Sequence, residues 1–196
     1  TPERPVTRGT AENPETFFAH REVCNSYYDA VPGIVEKYME AVSKITGREY
    51  KLFSYYGAED AERVIICMGS VTEAAREAID YMNKNGEKVG MVSVHLYRPF
   101  SVKHLLAAVP KTCKKIAVLD RTKEPGANGE PLYLDVKDAF YNEENRPLIV
   151  GGRYGLGSCD TTPTMIISVY ENLALNEPKD HFTVGIVDDV TFQSLP

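Results

Sequence analysis

The sequence has no closely spaced cysteines. Its four, Cys24, Cys67, Cys113 and Cys159, stand far apart, which removes the CxxC redox spacing and the CxxC…CxxC pattern of zinc and iron–sulfur sites. Scattered thiols of this kind fit a reducing compartment, so a cytoplasmic location without disulfides is expected, and Cys67, inside an apolar run, reads as a small core residue. There is no block of Lys and Arg either: 22 basic against 28 acidic residues leave a net charge of −6. Without a concentrated basic face no nucleic-acid partner is expected. No apolar run approaches the ~20 residues that cross a bilayer, and no charged segment followed by an apolar one opens the chain, so no membrane partner is expected. The first residue is Thr, and the chain is read as a segment of a longer polypeptide. It shows no internal repeat and no low-complexity tract.

What is present fits one domain with an added arm: 196 residues, 43% hydrophobic and 26% charged, enough to bury a core without staples. Residues 1–32, with Pro2, Pro5, Pro14 and Pro32 among polar residues and the aromatics Phe17, Phe18, Tyr27 and Tyr28, read as an arm whose apolar groups need a surface to cover. From Gly33 the series Ile34, Val35, Tyr38, Met39, Val42, Ile45 has helical spacing, and Gly47 stands where a C′ residue would. The expected division is an arm and linker helix over 1–48 and an α/β domain over 49–196.

The remainder alternates. Tyr50–Tyr56 is predicted as an edge strand, and Val64–Met68 as a strand covered on both faces. Ser70-Val-Thr-Glu73 matches a capping box, followed by a helix with the stripe Ala74, Ala75, Ala78, Ile79, Met82. Gly86 ends that helix and Lys88–Val94 supplies the next strand. A short helix over Val102–Val109 stops at Pro110, and a strand follows over Lys115–Leu119. Pro131 opens a helix bearing Leu132, Tyr133, Val136 and Phe140. Leu148–Val150 is a strand, Thr162-Pro163 opens a helix with Met165, Ile166, Val169, Tyr170 and Leu173, and HFTVGIVDD (181–189) is the last strand. Strands alternating with helices predict a three-layer α/β/α sandwich on a mostly parallel, five-stranded sheet.

Ligands of such sheets gather beyond the carboxyl ends of the strands, here the loops MGS (68–70), YRPFS (97–101), DRTKEPGANGEP (120–131) and GGRYGLGSCDTTP (151–163). The Gly151–Gly157 loop is the candidate phosphate cradle, yet it lacks the P-loop lysine and the GxGxxG spacing. Asp120 and Glu124 have no second carboxylate or histidine at a readable spacing, which favours turn or N-cap duty over acid–base work. His95 and His104 fall in no HxxxH or HExxH pattern. Arg98 and Arg153 carry the forked donors that clamp carboxylates or phosphates, and loop arginines serve protein interfaces as often.

RVIICMGSVTEAAREAIDYMNKNGEKVGMVSVHLYRPF resembles the C-terminal domain shared by transketolases and 2-oxoacid oxidoreductases. VLDRTKEPGANGEPLYLDV, GGRYGLGS and HFTVGIVDDVT are similar to the pyruvate:ferredoxin (flavodoxin) oxidoreductases in particular, and RPVTRGTAENPETFF with YYDAVPGIVEKYM extends the likeness through the arm. The resemblance implies an interior, transketolase C-terminal-like domain of an enzyme that oxidises pyruvate and coenzyme A to acetyl-CoA and carbon dioxide. In that family thiamine diphosphate with magnesium and iron–sulfur clusters do the chemistry, and ferredoxin or flavodoxin takes the electrons; a homodimeric parent is expected. No GDG…N diphosphate motif occurs here, and no catalytic, cofactor-binding or metal-ligating residue is carried onto this chain. The expected role is docking on sister domains through Arg121, Lys123, Glu124, Arg153 and Tyr154. The alternative is a free-standing α/β domain that binds a phosphate or nucleotide ligand at Gly151–Gly157.

Overall fold

A computed structural model describes residues 2–6, 9 and 11–196; Thr1, and Thr7, Arg8 and Thr10 of the RPVTRGTAENPETFF stretch, lie outside the described residues. The first element is one long helix, α1 (Pro14–Thr46). It begins 19 residues before Gly33, where the periodicity alone placed the start. Pro14 stands in the first turn, where a missing N–H costs nothing, and Pro32 lies inside the helix although interior prolines usually interrupt one. The end is as expected: Gly47 takes the left-handed conformation (φ 71°) and its N–H returns to the Ser43 carbonyl at 2.9 Å.

The body contains β1 (Phe53–Gly57), β2 (Arg63–Cys67), α2 (Val71–Lys84), β3 (Val89–Val94), α3 (Val102–Ala108), β4 (Lys115–Asp120), α4 (Pro131–Ala139), β5 (Leu148–Arg153), α5 (Pro163–Ala174), β6 (Phe182–Val184) and β7 (Ser194–Leu195). The sheet has seven strands in the order β1-β3-β2-β4-β5-β6-β7. β1 is the edge strand and runs antiparallel to β3; every other pairing is parallel. The expected count of five is corrected to seven: all six extended segments named above join the sheet, and a seventh strand forms past HFTVGIVDD, which itself does not stay extended. Gly185 turns at φ 87°, β6 ends at Val184, and the chain loops out before Ser194 and Leu195 pair with Thr183 and Val184.

Period-two alternation on strands buried from both sides makes two cores. Ile65 and Cys67 of β2 face α2 and α5, with Met91, Leu119 and Tyr170. Val64 and Ile66 face α3 and α4, with Val92, Val118 and Leu132. Each fully buried aliphatic side chain of this kind contributes roughly 1.5–3 kcal/mol, which explains why the strand reading from apolar runs was secure. The capping box does not form. Ser70 is itself helical (φ −66°, ψ −20°) and makes no side-chain cap, because the left-handed Gly69 (φ 80°) has already turned the chain; the Thr72 hydroxyl ties the first turn by donating to the Gly69 carbonyl at 2.8 Å. Thr162, by contrast, caps α5, accepting from Met165 N–H at 3.4 Å.

Candidate functional site

Neighbouring β2 and β4 feed connections that leave in opposite directions along the sheet, and a crevice opens there beyond the carboxyl ends of the strands. It has a volume of about 350 Å³ and is bordered by Gly69, Ser70, Tyr97, Asp120, Arg121 and Tyr154. A second depression, about 440 Å³, lies over β5 and β6 against Lys123, Arg153, Leu156, Val184 and Ile186.

Asp120 is the last residue of β4 and is buried. Its two carboxylate oxygens accept the N–H groups of Leu132 and Tyr133 at 3.0 and 3.1 Å. These belong to the first turn of α4, which Pro131 opens and whose flanking Glu130 makes no side-chain cap. The strand end thus caps the next helix across an eleven-residue excursion, the cap duty expected of it. Burial pushes the Asp120 carboxyl above its ordinary value, outweighing the two N–H bonds that pull it down.

Of the five residues expected at a docking edge, Lys123 and Arg153 converge on one group that sequence reasoning missed, Glu130, which is 1% exposed. Arg153 Nη1 lies 3.5 Å and Lys123 Nζ 3.6 Å from its carboxylate, and Arg153 Nη2 donates to the His181 carbonyl at 2.7 Å. Arg121 Nε donates to the Gly155 carbonyl at 2.9 Å and so joins the loops after β4 and β5. Glu124 is exposed; its carbonyl accepts from Ala127 N–H at 3.2 Å, closing a turn. Tyr154 is the correction: 6% exposed, it packs in the core with α2 and α5, its hydroxyl reaches the Met68 carbonyl at 3.4 Å, and burial raises its pKa to about 12. Glu130 was legible only as the residue before a helix-opening proline, which says nothing of its burial.

The glycines of the candidate phosphate loop are used for close approach. A Cβ on Gly151 would stand 2.9 Å from the Tyr133 ring and one on Gly152 would overlap the Phe182 ring, while Gly151 N–H is already held by Asp180 at 2.7 Å. Gly155 and Gly157 take left-handed conformations around a short 3-10 turn, Leu156–Ser158. Arg98 is occupied by Asp135 at 2.7 Å and by the Tyr97 hydroxyl at 3.0 Å. His104 bonds the Ser101 hydroxyl at 2.6 Å, and His95 is exposed at the end of β3. The four cysteines are free thiols; burial pushes Cys67 and Cys113 up to about 12. Among the described residues no three His, Cys, Asp or Glu side chains cluster as a metal set.

Comparison with known proteins bears on this arrangement. Residues 61–166 match the family model for pyruvate:ferredoxin oxidoreductase core domain II. The whole chain is 61% identical to pyruvate-flavodoxin oxidoreductase of Enterobacter agglomerans, and 99% of it is 55% identical to pyruvate:ferredoxin oxidoreductase of Moorella thermoacetica; it spans 17% of the length of each. A solved 2-oxoglutarate:ferredoxin oxidoreductase from Magnetococcus marinus overlays on 62% of this chain and 19% of its own, at a TM-score of 0.46 and 24% identity. On the match of residues 61–166 and the identities along its whole length, the chain belongs to the pyruvate:ferredoxin oxidoreductase family, within which it carries core domain II.

Proposed function

We propose that the chain serves as an interior, non-catalytic domain of a cytoplasmic enzyme that oxidises pyruvate with coenzyme A to acetyl-CoA and carbon dioxide and passes the electrons to ferredoxin or flavodoxin. The observation that carries this reading is the alignment of the whole chain with only 17% of relatives bearing those names. The residues here do not fit the cofactors such a parent requires. A magnesium–diphosphate site needs carboxylate and carbonyl oxygens converging on one point, and a cluster needs several thiolates within one loop system; the cysteines stand in α1, β2, the α3–β4 connection and the β5–α5 loop. The division into a linker segment, 1–48, and a body, 49–196, follows the same reading, as does a homodimeric parent.

The role left to the carboxyl edge is docking. Arg121 borders the first crevice and Lys123 the second, Glu124 is exposed on the same loop, and Arg153 is half-buried beside Lys123 with Tyr154 buried next to it. Rim charges of this kind steer and register a partner surface more than they bind it. Two measurements test the proposal. The 196-residue chain should show no turnover of pyruvate, coenzyme A and a viologen, whereas the full polypeptide turns over; activity from the purified chain above a buffer control would overturn it. Reversing the exposed rim charge Glu124→Lys should leave the melting temperature of the chain within ~2 °C, since an exposed charge contributes under ~1 kcal/mol, while lowering assembly or turnover of the full enzyme. Unchanged assembly and turnover would return the loop to a solvated turn.

A further inference from the structure

The 33 residues of α1 include no buried one. Its C-terminal half touches the body through Val35 and Met39, which pack on the α3–α4 core, and through Glu36, 3.6 Å from His104. A second face is turned elsewhere. Cys24, Tyr27, Val31, Ile34, Tyr38, Ala41 and Ile45 recur at alternating steps of three and four residues, the a/d spacing of a helix that packs along another helix. Tyr27 is 73%, Ile34 52%, Tyr38 68% and Ile45 84% exposed. One margin of this seam is widened by the exposed Tyr28 and Val42; the other carries Lys37 and Lys44. The carboxylates Asp29, Glu36 and Glu40 lie off the seam by the same periodicity.

From this geometry we infer that α1 is one half of a helix–helix interface, and that its partner is an acidic-edged amphipathic helix of the same polypeptide lying outside residues 1–196. The inference rests on the reading of the chain as an interior domain. Three observations point to that partner. The Enterobacter agglomerans relative aligns with the whole chain, α1 included, yet has more than four-fifths of its length elsewhere, the chain covering 17% of it, so ample sequence exists to supply a helix. A water-facing seam of three heptads is a liability for a soluble chain unless something covers it. Self-pairing offers no charge match: an antiparallel copy sets Lys37 against Lys44, and a parallel copy sets Lys37 against Val42, whereas Asp or Glu along a different helix would pair with both lysines.

The test uses the 196-residue chain and the full polypeptide, each carrying Ile34→Cys on the seam or Glu40→Cys off it, labelled with a maleimide and read by peptide mass spectrometry. Ile34→Cys should react about 100-fold more slowly in the full polypeptide than in the chain, because labelling then waits for the interface to open, with Glu40→Cys reacting alike in both. Adding Lys37→Glu and Lys44→Glu should restore at least tenfold of that rate in the full polypeptide and change nothing in the chain. Equal rates for Ile34→Cys in the two proteins overturn the interface. Protection of the isolated chain that grows with concentration, with a dimer in sedimentation, assigns the seam to a second copy and overturns the stated partner. No response to the lysine reversals overturns its acidic edge. Failure of pyruvate turnover by the full polypeptide would instead reject the functional reading and leave the labelling contrast intact.

Discussion

Replacing Asp120 by alanine removes the only side-chain cap observed on α4. Two N–H groups, of Leu132 and Tyr133, then lose acceptors at 3.0 and 3.1 Å in a place where Leu132 and Tyr133 are 0% and 1% exposed, so water does not replace them freely. A hydrogen bond to a charged group contributes about 1.5–3 kcal/mol. The carboxylate's own burial, which raises its pKa, offsets part of that, and a net loss of about 2–4 kcal/mol is expected. For a domain of this size the melting temperature should fall by about 5–15 °C, measured by calorimetry or far-ultraviolet circular dichroism at pH 7. Asp120→Asn keeps one acceptor and should lose about half as much. The acid limb carries a further sign. A carboxyl whose folded pKa lies above its unfolded value of about 3.9 binds more protons in the native state within that interval, so its contribution grows as pH falls through the folded value and is lost as pH rises. The stability advantage of the native protein over Asp120→Asn should therefore widen between pH 7 and pH 4. A melting temperature for Asp120→Ala within 2 °C of the native protein, by the same scale, would refute the assignment of Asp120 as the cap, and a narrowing advantage in acid would refute its raised pKa.

Gly152→Ala should cost about 1–3 kcal/mol in urea unfolding, because the fully buried Phe182 ring must move; Gly157→Ala, in open space at φ 62°, should cost about 1 kcal/mol from backbone conformation alone. A smaller loss at Gly152 than at Gly157 would contradict the close packing. Glu130→Gln strands Arg153 in a half-buried site and should cost about 3 kcal/mol, whereas Lys123→Ala, at the exposed end of the same cluster, should cost under about 1 kcal/mol; equal losses would mean the cluster is not organised around Glu130. Native alkylation at pH 8 should modify the exposed Cys159 and leave Cys67, whose thiol burial pushes to about 12, at least ~100-fold slower; comparable rates would place Cys67 near solvent.

The layered architecture was legible because buried parallel strands must be apolar on both faces and crossover helices on one, and RVIIC, VGMVSV and KIAVLD show that pattern without help from distant residues. Helix openings marked by Pro131 and Pro163 were equally local, since a proline at the first turn sacrifices no bond. What sequence could not decide depends on meetings far along the chain. Asp120 and Glu124 look alike in a charged loop, and only the fold brings one to the N-terminus of α4 and leaves the other in a turn. Tyr154 stands among glycines like a loop tyrosine, and the α2–α5 side of the core, against which the chain lies just past β5, buries it. HFTVGIVDD reads as one strand, yet only three of its residues find a neighbour to pair with; strand length is set by the partner edge as well as by propensity. The long α1, with its exposed three-four seam, is the converse case: its spacing lies open in the sequence, while the fact that the domain leaves that seam bare is a property of the tertiary structure, because burial is decided by what packs against a face and not by the face itself.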